Sequence, residues 1–344
     1  MMKQPMMKQL MTKRTLFKIR PAPVLISALL LTLSSITTLV SAQSSWPSHP
    51  LRLLIPYAAG GSTDILGRRL ALKLGEELKQ PVVVENKGGA NGGIGVNSFV
   101  KSPFDDHYFM VVSYTQLAIN PFIYKEKLGY DPDSDLTPIG MIAQTPNVVV
   151  VSNTIPINSL KDLVEYGKSR PGKLAYSSAG IGSTGHLLNE LFKSQTGVDM
   201  VHIPYRGNGP AMQALLSGEV QFNTDNLPQL IPQIKAGRIK PLAVTSNKRW
   251  FQLPDVPTAE EAGFGGLTTV VWFGLVGQAK LPKEITLKMN TALNRLLKSN
   301  EFNASLKEVS LETVPGSPED MVSATKIERE RWKRVIEISG ATAE

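Results

Sequence analysis

The chain has no cysteine in 344 residues. That excludes a disulfide framework, a thiolate nucleophile and a thiolate metal site. It also suits an oxidising compartment, where a stray thiol is a liability. Histidine is scarce: His49, His107, His186 and His202 are the only four. No two of them have zinc-type spacing such as H-E-x-x-H, and no metal is expected. Charged residues make up only 19% of the chain, with a formal net charge of +8. Lys3, Lys8, Lys13, Arg14, Lys18 and Arg20 account for most of that excess, and no acid accompanies them. Without those six the rest carries about +2, which gives no support to nucleic-acid binding. Past the N-terminal region no apolar run approaches the roughly 20 residues of a membrane span.

The six basic residues precede a short apolar run, "VLISALLLTL" (Val24 to Leu33), and then "SSITTLVSAQSS". A basic region, a short apolar core and a small-residue pattern at Val40-Ser41-Ala42 together make a secretory signal peptide. Cleavage is expected after Ala42, with residues 1–42 removed and the mature chain in a bacterial periplasm. Met1, Met2, Met6, Met7 and Met11 crowd the start, and translation from Met11 gives a signal of more ordinary length.

After the signal the pattern alternates. "LRLLIPY" reads as a strand and "TDILGRRLALKLGEEL" as a helix, with Ile65, Leu66, Leu70, Leu74 and Leu78 on one face. "PVVVEN" and "YFMVVSY" read as further strands, separated by the glycine-rich "KGGANGGIG" and a short helix. Such nearly continuous apolar strands suit a parallel sheet covered on both faces. A long strand (Met141 to Asn153) follows, and the alternation then restarts with "KLAYSS", "DMVHIPY" and "EVQFNTDN" as strands. "IKPLAVTS" and "TVVWFGLVG" are strands too, and helices start at Pro282 and Pro318. The alternation predicts an α/β fold of two lobes joined by strand crossovers near 147–153 and 240–246. Residues 43–147 and 247–344 form lobe 1 in this reading, and 148–246 form lobe 2.

Two glycine turns stand out, "IPYAAGGSTDILGRRLA" and "LAYSSAGIGSTGHLLNE". Each runs strand, glycine, Ser-Thr, helix. Gly180-Ile181-Gly182-Ser183-Thr184-Gly185 is formally a dinucleotide G-x-G-x-x-G. The following strand, however, ends at Tyr205-Arg206 without the acid that holds the ribose. No turn has the lysine of a nucleotide P-loop, and neither Ser62 nor Ser183 sits in G-x-S-x-G. What remains is anion binding by the free N–H groups and positive end of a helix. Ser62, Thr63, Ser183 and Thr184 either cap those helices or donate to a ligand. With one turn in each lobe, the strand ends face one cleft.

These residues also carry a family resemblance over essentially all of the mature chain. "WPSHPLRLLIPYAAGGSTDILGRRLA", "QPVVVENKGGANGGIG", "AINPFIY", "LTPIGMIAQTPNVVVV" and "GSTGHLLNELFKSQTG" occur in order. "VHIPYRGNGPAMQALLSGEV", "DNLPQ", "IKAGRIKPLAVTS", "LPDVPTAEEAG" and "WFGLVG" follow. The chain resembles the periplasmic solute receptors of the tripartite tricarboxylate transporter family, the Bug receptors. The resemblance implies a two-lobed type II periplasmic binding-protein fold that holds a small organic acid through backbone N–H groups and ordered waters. It implies a first grip of Tyr57, Gly60, Gly61, Ser62, Thr63 and Asp64, and a second of Gly182, Ser183, Thr184, Gly185 and His186. Asp225 is either a third contributor or a cap for the helix at Leu227-Pro228. Arg206 is a candidate carboxylate clamp, and Trp272, with Phe273, a candidate aromatic contact near the cleft. The chain departs from the family's common pattern at Asp105-Asp106-His107-Tyr108, where Asp-Gly-Tyr is usual, and at the alanines of "PYAAGG".

The expected function is that of a receptor, not an enzyme: it needs no cofactor, acts as a monomer and delivers a carboxylate to membrane permease subunits. A sensor that reports ligand to a membrane partner has the same sequence. A secreted enzyme lacks a nucleophile–base pair here. Dicarboxylates, tricarboxylates, acidic amino acids and aromatic acids all suit a backbone grip.

Overall fold

The computed structural model describes residues 46–342; the expected signal peptide lies outside them. The elements alternate as the sequence predicts. The first half of the sheet contains β1 (Leu51–Ile55), β2 (Val82–Asn86) and β3 (Tyr108–Ser113). Helix α1 (Ser62–Leu78) follows β1, and α2 (Gly93–Lys101) follows β2. On α1, Leu66, Leu70 and Leu74 are buried against the sheet while Arg68 and Leu72 face out, the helical period at work. A short helix, α3 (Asn120–Tyr124), precedes β4 (Leu136–Ser152).

The chain then builds the second half: α4 (Leu160–Lys168), β5 (Leu174–Ser178), α5 (Thr184–Thr196), β6 (Met200–Pro204), α6 (Asn208–Ser217), β7 (Phe222–Asn226), α7 (Leu227–Lys235) and β8 (Ile239–Val244). It ends with β9 (Val270–Gln278), α8 (Lys283–Lys298), α9 (Asn300–Glu308), β10 (Glu312–Thr313) and α10 (Pro318–Ser339). Among the described residues no helix is long and apolar enough to cross a membrane.

The strand order is β2-β1-β3-β9-β4-β7-β5-β6, with β8 and β10 also on β4. The sheet is mixed rather than parallel. β1 pairs parallel with β2 and β3, and β5 parallel with β6 and β7. Late-arriving β9 is antiparallel to both β3 and β4. Buried hydrophobic runs report coverage on both faces, not strand direction, so the sequence carried no sign of this. At the edge, β2 is only half covered, and Val83 is 56% exposed.

β4 is the seam. Its first part, Leu136 to Pro146, pairs with β9. Its last part, Asn147 to Val151, pairs with β7, and Val148 to Ser152 pairs with β8 on its other side. Register shifts occur between Pro138 and Gly140, between Met141 and Ala143, and where Val150 meets Pro241. Proline has no N–H to give the ladder, which accounts for the first and last of these. The strands expected near 147–153 and 240–246 lie side by side as β4 and β8.

Candidate functional site

The carboxyl ends of β1, β3, β5 and β7 and the residues Val271 and Phe273 of β9 converge on one cavity of about 40 Å³. It is lined by hydroxyls and amides: Ser62 and Thr63 from α1, Ser183 and Thr184 at the start of α5, Asn208 from α6, and Asn91. Tyr57, Gly61, Gly185 and Asp225 line it too. No Lys, Arg or His is among the lining residues.

Each glycine turn is built differently. In the first, Gly61 is itself the helix cap, with φ −77, and offers no side chain. The first helical bond is Ile65 N–H to the Gly61 carbonyl, which leaves the N–H groups of Ser62, Thr63 and Asp64 unused by the helix. Ser62 is 4% exposed and its Oγ has no hydrogen-bond partner. A buried hydroxyl costs free energy unless paired, and this one lines the cavity. It is therefore not a cap. In the second turn Ser183 is the cap, accepting the His186 N–H at 3.3 Å. The N–H groups of Thr184 and Gly185 remain at the mouth of α5. Gly185 is required by contact: a Cβ there would lie 1.8 Å from the Thr224 carbonyl oxygen.

Several predicted residues shape the turns without lining the cavity. Asp64 accepts the Gly60 N–H (2.9 Å), Arg68 Nε (3.0 Å) and Asn86 Nδ2 (2.8 Å). Burial pushes its pKa up, but these hydrogen bonds outweigh it and hold it below the ordinary carboxylate value. Gly60, at φ +87, and Gly182, at φ +78, adopt backbone that favours glycine. His186 sits behind its turn, where Nδ1 accepts the Gly182 N–H at 3.2 Å and the ring stacks on His202 at 4.1 Å. Burial lowers its pKa and keeps the acceptor lone pair available. His202 is in turn lowered to about 3 by burial and by His186.

Tyr57 lines the cavity and takes a hydrogen bond from Gln116 Nε2 at 2.6 Å; burial raises its pKa. Asp225 also lines it and does not cap α7, whose cap is Asn226. Arg206 is exposed and is not a lining residue. Trp272 is 5% exposed and packs edge-on to Tyr114 at 6.0 Å. Strand alternation explains it: Val271 and Phe273 share the cavity face, and Trp272 points to the other.

Sequence reasoning missed Asn91, Ser113, Thr115, Asn208 and Thr224. Asn208 was the most legible, since Gly207-Asn208 is a third glycine turn between a strand and a helix. A larger chamber of about 210 Å³ shares Tyr57, Gly61 and Asn208 with the cavity and adds Gly207, Gly209, Met212 and Gln229. Elsewhere, His49, Asp105 and His107 bring ligand atoms within 4.8 Å of one another. Both His107 nitrogens are already engaged, Nδ1 with Asp106 (2.6 Å) and Nε2 with the Ser48 N–H (2.9 Å). That cluster pins the start of the described chain.

A family model described as "Tripartite tricarboxylate transporter family receptor" matches residues 66–341. The chain belongs to this receptor family. It is a solute-binding receptor and not an enzyme, and the family's receptors are periplasmic. Protein BugT of Bordetella pertussis is 32% identical over 302 residues, covering 88% of this chain and 92% of that one. The solved structure of R. palustris Rpa4515 with adipate is 38% identical, covers 86% of this chain and 99% of that one, and superposes with a TM-score of 0.84. MatC from Rhodopseudomonas palustris with bound malate is 28% identical over 85% of this chain and 99% of that one, with a TM-score of 0.79. The receptor's fold is therefore the two-lobed periplasmic binding-protein fold.

Proposed function

We propose that this receptor captures a small dicarboxylate, one carboxylate seated in the cavity between α1 and α5 and the rest of the molecule in the adjoining chamber. The observation that carries this is the convergence of two helix N-termini and the unpartnered Ser62 Oγ on one cavity without a cation. Backbone N–H groups and helix dipoles attract an anion and need no counter-charge. The relatives with adipate and malate support the ligand class. Residues 43–147 with 247–344 act as one lobe and 148–246 as the other, hinged at β4 and β8, and close on the ligand. Tyr57, Gly61, Ser62, Thr63, Ser183, Thr184, Gly185 and Asp225 contact it. Gly60, Asp64, Gly182 and His186 hold the two turns in shape. Residues 1–42 direct export and are removed. The loaded monomer delivers its ligand to the permease subunits of a tripartite tricarboxylate transporter.

Thermal-shift screening of the chain from Gln43 onward tests the reading. A carboxylate at 100 times its Kd adds about 2.7 kcal/mol of stability. Stabilisation by one or more dicarboxylates is expected. A response to sugars or nucleotides with none to any acid contradicts it.

A further inference from the structure

The cavity holds an acid where a receptor for anions would be expected to hold a base. Asp225, at the end of β7, is 8% exposed and lines the cavity. Its Oδ2 accepts Asn208 Nδ2 at 2.5 Å, and its Oδ1 accepts the Asn226 N–H at 2.8 Å. An ionised carboxylate has about four lone-pair sites, so about half its capacity is left for the cavity.

Nothing on the surrounding elements neutralises it. Asn208 faces it from α6, Asn226 and Gln229 from α7, and Tyr57 from the first glycine turn. Ser113 at the end of β3, Thr115 just after it, Thr184 and Gly185 of α5, and Val271 and Phe273 of β9 are among the other lining residues, and none of the rest carries a charge. Tyr57 is the one other titratable group, and burial keeps it neutral. On α1, Asp64 and Arg68 are paired with each other outside the lining. Gln229, a lining residue of the larger chamber, lies close enough to Asp225 to help hold its charge, though both its polar atoms are buried without a well-formed hydrogen bond. A carboxylate ligand entering this cavity therefore places two acids in one buried space. Two such groups cannot both ionise freely; one keeps a proton, or a donor lies between them.

Resting on the ligand class proposed above, we propose that Asp225 selects carboxylates bearing a hydrogen-bond donor, an ammonium or a hydroxyl, beside the bound carboxylate. A donor-free diacid binds by taking up a proton, which Asp225 holds. Burial raises the Asp225 pKa to about 6, so that proton is accessible near neutral pH.

Aspartate, malate and succinate test this, because they share a four-carbon skeleton and differ only in carrying an ammonium, a hydroxyl or hydrogen. Calorimetric titration of the mature receptor at about pH 8 is expected to rank aspartate and malate about tenfold or more above succinate. As pH falls from about 8, succinate gains affinity and takes up about one proton, read from buffers of different ionisation enthalpy. The uptake drops toward about half a proton near pH 6, where free Asp225 is already half protonated, while aspartate changes little. Asp225→Asn removes both the ranking and the proton uptake, with its thermal midpoint confirming the fold. Adipate against 2-aminoadipate makes the same comparison for a longer ligand. Equal affinities at pH 8, or a ranking that survives in Asp225→Asn, overturns the inference while leaving the receptor reading intact. If no carboxylate of any kind binds, both fail.

Discussion

Asn91 reaches from the glycine-rich loop after β2 to the second glycine turn, where its Nδ2 donates to the Gly182 carbonyl at 2.8 Å. The two residues are 91 positions apart in sequence. Asn91 stands in a run of four residues with positive φ: Gly89 (+124), Ala90 (+46), Asn91 (+50) and Gly92 (+87). For Ala90 and Asn91 this backbone is unfavourable. Hydrogen bonds compensate: the Asn91 carbonyl accepts Gln116 Nε2 at 3.0 Å and Asn120 Nδ2 at 3.2 Å. Tyr124 adds a second link across, from its hydroxyl to the Ile181 carbonyl at 3.5 Å. The loop is tied to the far turn by the Asn91 hydrogen bond, with that of Tyr124 beside it, and if the lobes close on a ligand as proposed, it is placed to act as a latch.

Asn91→Gly tests the latch, because glycine keeps the backbone and removes only the side chain. A net hydrogen bond is worth about 1 kcal/mol, so ligand affinity should fall roughly fivefold, almost all of it as faster dissociation. Stopped-flow displacement of a bound dicarboxylate measures this. An unchanged dissociation rate would make Asn91 a loop-shaping residue only.

The glycines separate by what surrounds them. Gly185→Ala puts a methyl group 1.8 Å from the Thr224 carbonyl and is expected to destabilise the receptor by about 3 kcal/mol. Gly61→Ala meets nothing closer than Asn208 Oδ1 at 3.7 Å, so it should fold normally. Its methyl group faces the cavity, and its cost should appear in binding. Thermal denaturation with and without ligand distinguishes the two cases.

The alternation of strands and helices, the two glycine turns and the strands β4 and β8 were readable because each is written in neighbouring residues. The antiparallel insertion of β9 was not, since it depends on a strand that arrives after the second half is complete. Asn91 was hidden for the same reason: its partner Gly182 lies 91 positions away, and no local pattern marks it. Arg206 is the opposite case, a residue with the right chemistry just past a strand end that the structure leaves exposed and outside the lining. Trp272 was one residue from the cavity, and in a strand one residue is the other face.

A grip without cations resists salt. Raising ionic strength from about 0.05 to about 0.5 M should change affinity less than about threefold, because the cavity is buried and surface charges are screened within about 10 Å. Arg206→Ala should alter affinity by less than about twofold. Gly182→Val should abolish binding, because φ there is +78 and Ile123 already lies 3.1 Å from the Cβ position. Calorimetry on both variants checks the pair. Loss of binding in Arg206→Ala would restore the charge clamp.

Asp64 predicts a pH dependence of stability. Its pKa is held below the ordinary value in the folded chain, so the unfolded chain binds the proton more readily. The contribution is present above the unfolded pKa, about 3.9, and is lost as pH falls through the lower folded value. Asp64→Asn should cost about 1–3 kcal/mol near pH 7, and the difference from wild type should shrink toward about pH 3. Urea denaturation across pH measures it; a constant difference would mean the charge is irrelevant.

The position of a bound dicarboxylate in a crystal of the complex tests the central claim most directly. One carboxylate should lie within about 2.7–3.2 Å of N–H groups at the start of both α1 and α5, directly or through one water. A carboxylate paired instead with Arg206 or another cation, or a ligand seated outside the cavity between the two turns, would contradict the account.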